Sequence, residues 1–148
     1  MFVLSAPLQI AASAPSPDPL RWNDLAGLAL FNRPYAWLAV ERTATGLSLV
    51  QFDEQTAQTT RAPLTATKVW LRADSDFNEN LAQFRYSTDG KTFQDLGAKV
   101  KMPYGLVTFQ GVRDSLFAWN TTGTEGGYAD FDSFTMNETS PRGITRPI

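Results

Sequence analysis

The sequence predicts an all-β domain, an antiparallel sandwich of two sheets. Three observations lead there. No window repeats apolar residues at helical spacing between capping residues, whereas apolar and polar residues alternate in many short runs. Turn-forming residues interrupt these runs about every ten residues, the spacing of a sandwich or jelly roll of short strands. No strand–helix–strand alternation is present to build a parallel sheet.

The elements follow in order. "FVLSAPLQIAA" is a first strand region, bent or split at Pro7, because proline cannot donate to a β-ladder. It reads as an edge strand followed by a Pro-rich linker, Pro15 to Pro19, in preference to a secretory leader, since it lacks a positive n-region and Pro7 interrupts its apolar run. "LAGLALFNR" and "YAWLAVERT" are two strands joined at Arg33-Pro34, where proline favours a turn. "TATG" turns the chain into "LSLVQFD", and "EQTAQT" leads toward another short strand. "KVWLRADSD" and "AQFRYST" flank the polar loop "FNENL". In "STDGKTF", Asp89-Gly90 supplies the positive φ angles of a tight hairpin. "GLVTFQGVRDSLFAWN" is extended and interrupted by Gly111, "TTGTEGG" is a loop, and "YADFDSFTMN" is the last long strand. One domain results. Residues 1–23 are strand and linker, 24–138 the core, and 139–148 an irregular tail.

Composition narrows the chemistry. With 148 residues the chain can bury a core without covalent staples. It contains neither cysteine nor histidine. That excludes disulfides, thiolate or imidazole metal sites and histidine-based triads, so catalysis would rest on carboxylates, Tyr, Lys or Ser. The net charge is -2 with signs mixed along the chain, so neither nucleic acid nor membrane is an expected partner. Aromatic residues make up 12%, which suits both a sandwich core and a sugar-binding surface.

Strand periodicity assigns faces. Val69, Leu71 and Ala73 form one face of their strand, and Trp70, Arg72 and Asp74 the other. Leu38 and Val40 look inward, while Tyr35, Trp37 and Glu41 share the opposite side. Phe84 and Tyr86 pack inward, with Gln83, Arg85 and Ser87 pointing away. Three consecutive strands thus each offer aromatic or polar groups on the non-core face, where rings can stack on pyranose faces and charged groups can bond hydroxyls in pairs. An ordinary solvated face is the competing reading, with Trp70 under a loop.

Asp130 and Asp132 stand two apart on one strand, about 7 Å, within the range of paired glycosidase carboxylates. One strand offers no cleft, however, and nothing marks which acid would be raised in pKa. Structural or ligand hydrogen bonding is preferred. "DSDFNENL" begins like an EF-hand at Asp74, Asp76 and Asn78, but its sixth position is Glu79 and its twelfth Arg85, so an EF-hand is rejected. A looser structural calcium site in this loop stays open.

Four stretches, "AGLALFNRPYAWLAVER", "VWLRADSDFNENLAQFRYSTDGKTF", "TFQGVRDSLFAWNTTG" and "GGYADFDSFTM", together resemble the C-terminal β-sandwich of family 43 glycoside hydrolases. That family comprises β-xylosidases and α-L-arabinofuranosidases, and its sandwich is a concanavalin-A-like jelly roll, also classed as carbohydrate-binding module family 91. The resemblance spans roughly Asp24 to Glu138. It implies a catalytic five-bladed propeller as partner, and a loop of the sandwich that helps close the propeller's pocket, which makes Phe109 of "TFQG" the closing aromatic. The family usually has more sequence before the "AGL" strand, which implies missing N-terminal strands here.

The expected function is therefore that of a non-catalytic module binding xylan or xylo-oligosaccharides through Trp37, Trp70, Arg72, Asp74, Arg85 and Gln110, with no required cofactor. Two alternatives stand beside it: a structural domain that braces the propeller without binding sugar, and a jelly-roll glycosidase, for which no E-x-D-x-x-E pattern is found. Location is open between a secreted hemicellulase and a cytoplasmic oligosaccharide-cleaving β-xylosidase.

Overall fold

The computed structural model of the chain describes residues 2–9, 24–103, 106, 108, 110–123 and 127–138. Its elements are all strands: β1 Phe2–Gln9, β2 Asp24–Phe31, β3 Ala36–Thr43, β4 Gly46–Asp53, β5 Gln58–Leu64, β6 Lys68–Asp76, β7 Leu81–Ser87, β8 Gln94–Asp95, β9 Val100–Lys101, β10 Arg113–Asn120, β11 Asp130–Phe131 and β12 Thr135–Glu138. They form two antiparallel sheets. The first runs β11-β1-β6-β7-β8, with β12 also on β1 and β9 also on β7; the second runs β10-β2-β3-β4-β5.

Alternation along the strands builds the core between the sheets. Ala26, Leu28 and Leu30 of β2, Leu38 and Val40 of β3 and Leu49 of β4 face Val69, Leu71 and Ala73 of β6 and Ala82 and Phe84 of β7. Most of these side chains are fully excluded from solvent. At about 25 cal/mol per Å² of apolar surface, this layer is the main stabilising term. The inward residues are those that the period-two pattern selects.

The N-terminal region departs from expectation. β1 is no edge strand: it lies inside the first sheet, between β6 on one side and β11 and β12 on the other. Nor does Pro7 split it. Between the pairs Leu8–Phe131 and Ser5–Thr135, three residues (132–134) stand opposite two, Ala6 and Pro7. A bulge therefore falls on the partner beside the proline, which has no N–H to give a ladder. The same bulge divides the expected last strand into β11 and β12. Residues before Asp24 thus supply a central strand, while the linker at Pro15–Pro19 and the tail 139–148 lie outside the described residues.

The β7–β8 hairpin is also wider than expected. Its loop spans residues 88–93, and of Asp89 and Gly90 only Gly90 takes a positive φ, +72°. Asp89 acts through its carboxylate: Oδ1 accepts hydrogen bonds from the N–H of Lys91 at 2.7 Å and of Thr92 at 2.8 Å, and from the Ser87 hydroxyl at 2.8 Å. Further on, Gly97 crosses the end of β4 at φ +72°, and a Cβ there would collide with the amide of Gln51, which is buried. Gly97→Ala should therefore combine backbone strain with a clash and cost about 2–3 kcal/mol, read as a lower urea midpoint at unchanged m-value.

Candidate functional site: two outward faces of the sandwich

The expectation that three strands share one non-core surface is corrected by the topology. β3 belongs to the second sheet, and β6 and β7 to the first. Their outward faces look in opposite directions. Trp37 lies on one, and Trp70, Arg72, Asp74 and Arg85 on the other.

The outer face of the second sheet is aromatic. Its floor is made of small residues: Gly27 pairs with Ala39, and Ala29 with Trp37. A Cβ at Gly27 would strike the Leu38 carbonyl and Ala39, so only glycine fits there. Over this floor the Trp37 and Phe117 rings meet edge-on at 5.8 Å, and Trp37 and Phe52 lie 5.6 Å apart. Such pairs hold rings in fixed orientations. Ser115, Phe117 and Trp119 alternate on β10 opposite Ala29, Gly27 and Leu25. The result is a cleft of about 270 Å³ lined by Ala29, Phe31, Tyr35, Trp37, Ser115, Phe117 and Trp119. Phe31 and Trp119 are 60% and 57% exposed, while Trp37 is half-buried.

At the end of β2, next to Phe31, a buried amide fastens the segment that leads into β10. Asn32 donates through Nδ2 to the Gln110 carbonyl at 3.1 Å and accepts at Oδ1 from the Thr108 hydroxyl at 2.9 Å. Gln110 is thus tied to the end of β2 through its backbone, with its own side chain exposed, and it does not line the aromatic cleft. Phe109, the expected pocket-closing residue, lies outside the described residues.

The outer face of the first sheet is ionic. Arg72 and Arg85 stand directly opposite one another on β6 and β7, a like-charge pair that is unfavourable unless compensated. Asp74 compensates it. Its side chain is 9% exposed; Oδ1 lies 2.6 Å from Arg72 Nε and Oδ2 2.8 Å from Arg85 Nη1. The second contact is coulombic and lacks the direction of a hydrogen bond, since Oδ2 is buried without one. Arg85 Nε also pairs with Asp95 at 2.6 Å, and the Arg72 guanidinium lies 5.2 Å from the Phe93 ring centre. Trp70 is half-buried, with Lys68 Nζ 5.2 Å from its ring on this face and Gly90 of the hairpin turn close against the indole. It braces that turn.

The remaining aspartates act locally. Asp132 Oδ2 pairs with Lys68 at 3.1 Å, and Asp130 sits in register with Gln9; both are exposed, and neither lines a described cleft. Asp76 Oδ1 accepts from the N–H of Asn78 at 2.9 Å and of Glu79 at 3.3 Å, closing the β6–β7 turn. Among the described residues no three carboxylates converge to hold a metal ion. The sequence reading missed Phe31, Phe117 and Trp119; the alternation in "SLFAWN" was the available signal, but pairing of β10 with β2 was not visible in it.

Residues 15–137 match the family described as the beta xylosidase C-terminal concanavalin A-like domain. The chain belongs to this family. The match covers most of the chain and agrees with the all-β, two-layer antiparallel architecture. Among solved structures, this xylosidase-type domain is similar to a bifunctional GH43-CE protein of Bacteroides eggerthii, with 29% identity and a TM-score of 0.82 over 93% of this chain. It also resembles a GH43 glycoside hydrolase engineered to display endo-xylanase and exo-arabinofuranosidase activity, at 24% identity and TM-score 0.79 over 93% of this chain. A functionally unknown protein of Saccharomyces cerevisiae shares the fold, at 20% identity and TM-score 0.64, with 96% of this chain and 70% of that one covered. The chain spans 17% and 29% of the two GH43 proteins. No curated protein matches it.

Two outcomes test this geometry. Asp74→Ala leaves Arg72 and Arg85 opposed without their shared carboxylate; a loss of about 2–3 kcal/mol is expected, partly restored by added salt. Asp89 is held far below its ordinary pKa of 3.8 by the N–H of Thr92, the N–H of Lys91 and the Ser87 hydroxyl. Because the folded-state pKa is depressed, its contribution is present above the ordinary value and declines as pH falls below it. The stability gap between wild type and Asp89→Ala should therefore be constant at neutral pH and narrow as pH drops below 3.8, in denaturant titrations at each pH.

Proposed function

We propose that this domain is a non-catalytic accessory module of a family 43 glycoside hydrolase that holds xylan or xylo-oligosaccharides in the aromatic cleft of its second sheet. The observation that carries this reading is the pair of exposed rings, Phe31 and Trp119, flanking Trp37 over a floor of Gly27, Ala29 and Ala39. Flat aromatic faces at fixed separation suit the apolar faces of consecutive sugar rings. Tyr35 and Ser115 line the cleft with groups able to bond hydroxyls. The family's description as the C-terminal domain of a beta xylosidase supports the substrate class. The arrangement requires no cofactor, and the bond-breaking acids belong to another part of the enzyme, consistent with exposed positions for Asp130 and Asp132.

A second reading is favoured by one observation: the cleft lining is almost wholly apolar, as at a surface covered by another domain. In that reading the catalytic propeller covers the cleft, and the sandwich braces it without holding sugar. Affinity electrophoresis of the purified chain across xylan, arabinoxylan, arabinan, cellulose and mannan separates the two. Retardation by xylan, weakened about tenfold by Trp119→Ala at unchanged stability, is expected for the binding module. No retardation in any polysaccharide, with stabilisation of a propeller added in trans, would establish the brace.

A further inference from the structure

The opposite face carries a second depression that the aromatic cleft does not explain. It lies at the β6–β7 end of the first sheet, with a volume of about 190 Å³, and is lined in part by Asp74, Asp76, Glu79, Gln83, Arg85 and Lys99. We propose that it is a second binding site, built to hold a single neutral sugar ring by its hydroxyls.

Its anchor is Gln83, which is 8% exposed. Nε2 donates to the Phe84 carbonyl at 3.0 Å and to the Gly97 carbonyl at 3.2 Å. Two carbonyl acceptors fix which end of the amide is the donor, so Oε1 is an oriented acceptor, and no hydrogen bond to it is made among the described residues. An accessible acceptor held in place by a largely buried side chain gains from a ligand hydroxyl and loses little entropy on binding.

The charges decide the ligand class. Asp74 is shared between Arg72 and Arg85, and Asp76 closes its own turn. What remains on the rim is Glu79 as acceptor and Lys99 as donor, with the outer edge of Arg85. An anion would meet the Glu79 and Asp76 carboxylates, and a metal ion would meet Arg85 and Lys99. A neutral polyol meets alternating donors and acceptors, each hydroxyl donating to one group and accepting from the next. The space is smaller than the aromatic cleft, about 190 against 270 Å³, and suits one ring better than a chain. The lining has no aromatic side chain; Leu81 and Ala82 offer aliphatic surface to the ring's C–H groups while the polar rim takes its hydroxyls, in contrast to the stacking cleft behind it. The inference shares the saccharide class with the proposed function, but not its site.

The test is titration of the isotope-labelled chain with xylose and with arabinose, read by amide chemical shifts. Saturable shifts at Glu79, Gln83, Arg85 and Lys99 in the millimolar range are expected, with affinity lowered at least tenfold in the Glu79→Gln, Lys99→Ala double variant. Both substituted positions are exposed, and an unchanged urea midpoint confirms an intact fold. Shifts confined to Phe31, Trp37 and Trp119 would overturn this inference and leave the proposed function standing. Absence of shifts at these four residues, or equal shifts with sulfate or calcium chloride alone, would overturn it whatever the polysaccharide result.

Discussion

The structure depends on β2 being buried on both faces. A strand has only two sides, and here each is covered by a different kind of chemistry. Inward, Ala26, Leu28 and Leu30 pack against the first sheet; outward, Gly27 and Ala29 are small enough for aromatic rings to lie over the backbone. The inward side makes the domain stable by removing aliphatic surface from water. The outward side creates the aromatic cleft, because rings packed over a small-residue floor are held by one another, Trp37 between Phe52 and Phe117. A larger residue at Gly27 would damage core and cleft at once, since its side chain would meet the backbone of β3.

The two outer faces solve the exposure of a sheet in different ways. On the second sheet, apolar rings cover one another and leave a groove. On the first, arginines project from adjacent strands at the same register position, and one nearly buried carboxylate neutralises both. A guanidinium held at Nε by a carboxylate keeps its outer N–H groups in a fixed plane. Each face is therefore ordered before any ligand arrives, one by ring contacts and the other by charge.

The aspartates show how a residue type can suggest chemistry that its surroundings redirect. Asp53 accepts from the N–H of Gln55 and the hydroxyl of Thr56 at the β4–β5 turn, Asp76 closes the β6–β7 turn, and Asp89 closes the β7–β8 turn. A short carboxylate two or three residues before free N–H groups caps them, as expected of aspartate in turns. In a linear sequence the same carboxylates look like the start of a calcium loop or half of a catalytic pair. What separates these roles is whether the oxygens are already occupied by neighbouring N–H groups, and that follows from the turn geometry.

The sequence by itself determined the all-β class, most strands, and the side on which each of Val69, Leu71, Ala73, Leu38, Val40 and Phe84 lies. All of that follows from a period of two and from local turn chemistry, which act between near neighbours in the chain. The family resemblance was legible for a similar reason, since four short motifs in order are a property of the chain alone. Only the tertiary structure decided which strands share a sheet. That placed Trp37 and Arg72 on opposite sides of the molecule, put β1 in the interior of a sheet despite Pro7, and set Phe31 and Trp119, on neighbouring strands, along one cleft. Periodicity fixes the face of a side chain relative to its own strand. The partner of that strand is chosen by contacts between residues far apart in sequence, such as Trp119 and Leu25, and those are set by packing.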